Sequence, residues 1–370
     1  MNLWRHADKW DAPPEADAVT LGEGNTPLIR SQRIGPSLGL DRLWFKHEGG
    51  NPTGSYKDRF AAVAVTHLAR ERRPACLGTS SGNTGAALAA YCARAGIPCY
   101  LAIVEGAPEG KLRQMIAYGA RLFRIKGFGK SPTLTMEVME GLRGFAQELG
   151  VGFEISSFGF SPRGMAGVET IGLELAESFP RDSFHVFSPA GGGGLTLAVT
   201  RGIKRWGAPG HVHCVQPAGN DTIASALRNG AARASAVQST TTISGLQVGG
   251  VLDGHDVIAA CRSSGGTGHA IADEAALKWQ ARLALEEGIF SEPAGAVALA
   301  GVEQALGRGE IRRGENVVCL VTGTGFKDEA SLHKMTSASP TPLLDSFGDF
   351  MGAVRGELGR VRGTAAGNSA

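Results

Sequence analysis

The residues best placed to do chemistry lie in NPTGSYKDR, residues 51–59. A turn-rich NPTGS leads straight into Lys57 and then into a helical run, DRFAAVAVTHLA, so the lysine stands at a helix N-terminus. The positive end of the helix dipole disfavours an ammonium there and lowers its pKa, as an amine nucleophile requires. A second segment, GTSSGNTGAAL (78–88), takes a strand through a Ser/Gly/Asn loop into a helix of small residues. Free backbone N–H groups at that helix start suit a carboxylate or a phosphate. A third, SPAGGGGLTLAV (188–199), sets Gly191, Gly192, Gly193 and Gly194 between a strand and a helix. Amides with no side chain beside them can close on a phosphate. The run is not a G-x-x-x-x-G-K-[ST] loop, and no G-x-G-x-x-G is followed by an acidic residue about 20 positions on. The fourth, CLVTGTGFKD (319–328), brings Thr322 out of a buried strand into a glycine-rich turn. A hydroxyl there can hydrogen-bond a ring nitrogen without protonating it.

The elements that must position these groups alternate. CLGT (76–79) precedes a helix near 83–96, then come the strand PCYLAIV (98–104), a helix near 109–118, ARLFRI (120–125), a helix near 132–149 and GFEIS (152–156). Strand–helix alternation with short loops implies right-handed crossovers and a parallel sheet. In the second half FHVFSPA (184–190), HVHCVQP (211–217) and NVVCLVTG (316–323) read as buried strands. Helices near 165–178, 193–206, 273–287 and 294–306 would cover them. RLWFKHE (42–48) is expected in this second sheet, which makes the block 60–155 a small α/β insertion in a larger domain formed by 1–59 and 156–345. Residues 346–370 read as a C-terminal helix and tail, fraying from about Gly363.

Composition removes whole classes of function. Of 370 residues, 42% are apolar and 19% charged, which excludes a disordered or fibrous chain. The net charge of +2 carries no basic block, so no nucleic-acid partner is expected. Glycine, 54 residues, is about twice its usual share and clusters in short loops. Cys76, Cys92, Cys99, Cys214, Cys261 and Cys319 are scattered singly, as free thiols in a reducing compartment would be. The start, MNLWRHADKWD, is neither a signal nor a transit peptide, and no run approaches the roughly 18 apolar residues of a membrane helix. A cytoplasmic protein with no membrane contact is expected. His211 and His213 alternate on a strand without further spaced ligands, so no metal is expected, and GFGKSP (127–132) reads as a turn and helix cap.

Together, GNTPL within LGEGNTPLIR (21–30), NPTGSYKDR, SSGNTG, the glycine run, SEPAGAVALAG (291–301) and TGTGFKD resemble the fold-type II pyridoxal-phosphate enzymes, and among them the threonine synthases most. That resemblance implies an α/β fold of two three-layer domains with mostly parallel sheets and the active site in the cleft between them. It implies pyridoxal 5′-phosphate as cofactor, a small amino-acid substrate and a homodimer. Lys57 would carry the cofactor as a Schiff base and later move protons at Cα and Cβ. Asn83 would meet the cofactor's 3′-oxygen, Gly191 to Gly194 its phosphate, and Thr322 its pyridine nitrogen, with Glu292 near the ring. Ser80, Ser81 and Thr84 would receive the substrate carboxylate, and Arg163 a substrate phosphate. The reaction implied is that of a lyase of amino-acid biosynthesis, O-phospho-L-homoserine and water giving L-threonine and phosphate.

The chain also departs from that pattern. Gly192 stands where the synthases typically have Asn, and GGGGL looks more like the serine/threonine dehydratases. Thr84 stands where those dehydratases usually have His. The alternative is β-elimination or β-replacement on serine, threonine or an O-activated serine.

Overall fold

The computed structural model describes residues 2–80, 82–107, 109–339 and 341–367, with backbone only from 360. Among the described residues the strands form two sheets. The first has the order β1 (Leu28–Arg30), β2 (Leu43–His47), β10 (Asn316–Val321), β7 (Phe184–Pro189), β8 (Gly210–Pro217), β9 (Gly268–Ile271). Every pair in it is parallel except β1 with β2. The second, all parallel, has the order β5 (Arg121–Ile125), β4 (Cys99–Val104), β3 (Cys76–Thr79), β6 (Gly152–Glu154). The expected α/β class with mostly parallel sheets is therefore observed. RLWFKHE lies in the larger sheet, as expected, beside β10. After Asn316, β10 reads as a continuous apolar run because helices cover it, and it is buried at every position.

Residues 1–332 form one compact unit. Within it the helix Lys57–Arg70 packs against both Asn83–Ala95 and Pro162–Ser178. Gly167 allows that second contact, since a Cβ there would lie 2.2 Å from the Arg59 carbonyl oxygen. Residues 333–370 form a second unit, whose helix Phe347–Gly367 carries the exposed Phe347, Phe350 and Val354. Its last described turns extend past Gly363, where the sequence predicts fraying. No helix among the described residues is long and apolar enough to cross a membrane.

The histidines of the large sheet stack across its strands. The Thr267 N–H donates to His213 Nδ1 at 3.3 Å, so His213 Nε2 carries the proton and donates to His185 Nδ1, 3.0 Å away. His269 Nε2 lies 3.4 Å from His213 Nδ1, and the Phe187 ring stacks on His213 at 4.5 Å. Burial lowers His213 well below the usual imidazole value and His269 to about 4. An unfolded imidazole titrates near 6.5, so the unfolded chain binds more protons between pH 6.5 and 4, and His269 costs stability as pH falls through that window. Glu154, raised by burial to about 7, acts with the opposite sign between pH 7 and about 4.5. The expectation is therefore set on a difference. His269→Gln should gain stability relative to wild type, by roughly 3 kcal/mol, as pH is taken from 6.5 to 4. Urea midpoints of the two proteins across that range check it.

Candidate active site

Lys57 is the first residue of its helix and lies on the wall of a cavity of about 650 Å³. The loop before it is stitched to the Thr322 turn: Tyr56 N–H donates to the Thr322 carbonyl at 3.0 Å and Thr324 N–H to the Gly54 carbonyl at 2.9 Å. Asp58 faces back and accepts from the Thr53 N–H and hydroxyl at 3.0 and 2.7 Å, which closes the turn. Lys57 Nζ donates to Ser156 Oγ at 2.7 Å and lies 4.5 Å from the centre of the Tyr56 ring. Burial pushes its ammonium down to about 8, against the opposing pull of Glu292 and Asp253. About a tenth of it is then free amine at pH 7, far more than for an ordinary lysine.

Behind Lys57 the guanidinium of Arg59 is fully buried among carboxylates. It donates to both Glu48 oxygens at 2.8 and 2.9 Å and to both Glu174 oxygens at 2.6 and 2.9 Å, with Lys46 also on Glu174. Two cations and two carboxylates make this cluster neutral, the form in which charges survive burial. It fastens the lysine's helix to β2 and to the helix Pro162–Ser178.

The other predicted segments converge on the same cavity. β3 ends at Thr79, Ser80 Oγ accepts the Gly82 N–H at 3.1 Å, and Asn83 opens the helix Asn83–Ala95. Ser80, Asn83 and Thr84 line the cavity; Ser81 lies outside the described residues. β7 delivers Gly191 to Gly194, also lining, and the helix Gly194–Trp206 follows. Glycine is required at Gly193, where φ is +97° and a Cβ would lie 2.6 Å from Val257 Cγ2. Gln216 Nε2 donates to the Gly191 carbonyl at 3.1 Å and holds the loop open. Thr322 leaves β10 into the cavity, and its Oγ1 donates to Glu292 Oε1 at 2.8 Å. Asn83 Nδ2 donates to both Glu292 oxygens at 3.1 and 3.0 Å. One buried carboxylate, raised above its usual pKa by burial, thus ties the Asn83 and Thr322 segments together.

Arg163 does not join this group. It is 55% exposed, donates to Glu71 Oε1 at 2.6 Å, and is absent from the cavity wall. Its helix begins at Pro162 and buries Gly164, Met165 and Gly167, which leaves position 163 on the solvent face. The expectation that Arg163 meets a substrate phosphate is corrected accordingly. The cavity instead carries Lys111, Lys130 and Lys327 beside Lys57, against the carboxylates Asp253 and Glu292. Lys327 donates to Gln114 Oε1 at 2.7 Å, and Lys111 contacts Ser244 and, at 3.3 Å, Asp328. Ser156, Asp253, Lys111 and Lys327 were not singled out by sequence reasoning. Lys327 stood inside TGTGFKD and Ser156 at the end of a predicted strand, so position alone was legible for those two.

The wall combines a primary amine, a glycine loop at a helix N-terminus and a hydroxyl at a strand end. Residues 19–323 match the profile described as pyridoxal-phosphate dependent enzyme. The chain belongs to that family. Pyridoxal phosphate is its cofactor, and the residues present fit it: a phosphate cradle that side chains would fill, and an amine brought near neutrality for an aldehyde. Within the family the chain is 33% identical to a threonine synthase of Methanocaldococcus jannaschii over 89% of its own length and 81% of the relative's. It is 32% identical to one of Mycobacterium tuberculosis, over 88% of each chain. The fold is that of the processed threonine deaminase isoform 2 from Solanum lycopersicum (TM-score 0.72, 22% identity, 92% of this chain and 94% of that one). It is equally that of the diaminopropionate ammonia lyase from Escherichia coli (TM-score 0.73, 15% identity, 91% and 92%). The protein is a pyridoxal-phosphate-dependent lyase.

Proposed function

We propose that the enzyme converts O-phospho-L-homoserine and water to L-threonine and phosphate. The observation that carries this reading is the placement of Lys111 and Lys327 on the cavity wall beside Lys57, where a second anion besides the cofactor's phosphate would find cationic partners; Lys130 on the same wall is paired with Glu105 at 2.8 Å. The names of the relatives that match most of the chain point the same way. The bound cofactor supplies an electron sink for the pair left at Cα when a proton is removed. Lys57 takes that proton and moves protons at Cβ, a task suited to an amine near its own pKa. Ser156, in contact with Lys57 Nζ, keeps the amine aimed at the substrate. Ser80, Ser81 and Thr84 with the amides at the start of the Asn83 helix hold the substrate carboxylate. The amides of Gly191 to Gly194 would hold the cofactor phosphate, and the Thr322 hydroxyl would serve the ring nitrogen. Asn83 meets the cofactor's 3′-oxygen, with Glu292 fixing its amide. Lys111 and Lys327 take the substrate phosphate in place of Arg163.

A second reading has one observation in its favour. No arginine lines the cavity among the described residues, and a bidentate arginine is the strongest partner a phosphate dianion can have. A smaller substrate losing its group from Cβ, serine or threonine giving a 2-oxo acid, would not need one. The two are separated by phosphate and threonine release from O-phosphohomoserine against 2-oxo-acid formation from serine and threonine. The expected result is the first, lowered by Lys111→Ala and Lys327→Ala and unchanged by Arg163→Ala. Fast 2-oxo-acid formation without phosphate release would sink it.

A further inference from the structure

Away from the active site, three of the six free cysteines meet in the core of the four-stranded sheet. Cys76 on β3 and Cys99 on β4 are direct partners in the parallel register, so their side chains leave the sheet on one face. Cys92, near the end of the helix Asn83–Ala95, comes down on that face. The three Sγ atoms all lie within 4.8 Å of one another, and all three residues are buried. An ion about 2.3 Å from each sulfur needs sulfur separations of about 4 Å or less, so small side-chain rotations close the triangle.

The surroundings select the ion. Leu88 and Leu101 pack on the same face of β3, beside Gly78, and belong with the thiols to one apolar core. A complex with net charge is costly in such a medium. The Glu154 carboxylate acts on Cys92, with the wrong sign to balance an anionic complex. Three thiolates around a monovalent or divalent cation leave net negative charge, whereas three around a trivalent soft ion leave none.

We propose that Cys76, Cys92 and Cys99 form a closed three-sulfur site for a trivalent thiophilic ion of the arsenic class. Binding needs no oxidant or reductant. Three S–H bonds and the three As–O bonds of arsenous acid break, three As–S bonds form, and three waters leave. The site is independent of the reaction assigned to the cavity.

The test uses the full-length holoenzyme, reduced with a phosphine so that no added thiol competes, then treated with arsenite, zinc or monovalent copper and desalted. Wild type should retain one arsenic per chain, with three As–S contacts in its X-ray absorption spectrum, and should not retain zinc or copper with that stoichiometry. Cys92→Ala and the conservative Cys92→Ser should each lose the arsenic, while Cys214→Ala and Cys319→Ala, buried thiols outside the cluster, should keep it. Visible absorbance of the bound cofactor reports folding of every variant, and Cys99→Ser replaces any Cys92 variant that fails it. Failure of wild type to retain arsenic, retention undiminished in folded Cys92 or Cys99 variants, or stoichiometric zinc or copper in its place would overturn the proposal.

Discussion

Lys57→Ala is expected to remove the visible absorbance band of the cofactor-loaded protein and to lower turnover by about a thousandfold or more. The magnitude combines the roughly 10²–10⁴-fold of a positioned acid–base group with loss of the covalent hold on the cofactor aldehyde. The band of wild type should shift with borohydride as the lysine–cofactor linkage is reduced, and the variant should show no such shift. The fold should survive, because the Lys57 side chain is only half-buried and its polar contact is the single bond to Ser156, whereas Asp58 and Arg59 hold the turn and the helix. A Lys57→Ala protein that keeps a borohydride-sensitive band would remove Lys57 from the chemistry altogether.

The largest effect on stability is expected two residues further on. Arg59→Leu leaves Glu48 and Glu174 buried with Lys46 as their remaining cation, and removing one partner of a buried charge cluster costs roughly 3–5 kcal/mol. Burial alone would lower the Arg59 pKa, but Glu174 and Glu48 raise it well beyond its usual value, so the guanidinium stays charged throughout the accessible pH range. The contrast is Arg163→Ala, which breaks one solvent-screened pair with Glu71 and should move stability by no more than about 1 kcal/mol. Urea midpoints at constant slope decide both, and an Arg59→Leu midpoint close to that of Arg163→Ala would show that the cluster does not hold the Lys57 helix.

What could be read from the chain alone was local. A lysine, an asparagine, a glycine run and a threonine each sit where a turn enters a helix or a strand leaves the sheet. Such junctions are set by neighbouring glycines, prolines and apolar runs, which is why β3 and the helix Asp273–Glu287 fall where their residues predict. The short strands β1 and β9, three and four residues long, carry too little pattern to be seen before β2 and β8 provide them an edge. Whether a side chain belongs to the cavity is a different kind of fact. Arg163 stood beside the right segment and was turned outward by the face its helix had to bury. Glu292 joins Asn83, 209 residues away, to Thr322, 30 residues away, a link no spacing encodes. The sequence by itself determined which groups exist, their chemistry and the junctions that expose them. Only the tertiary structure decided which of them meet, because a meeting depends on how both sheets and the helices between them pack, and burial together with the charged neighbours then sets the pKa of each group that does.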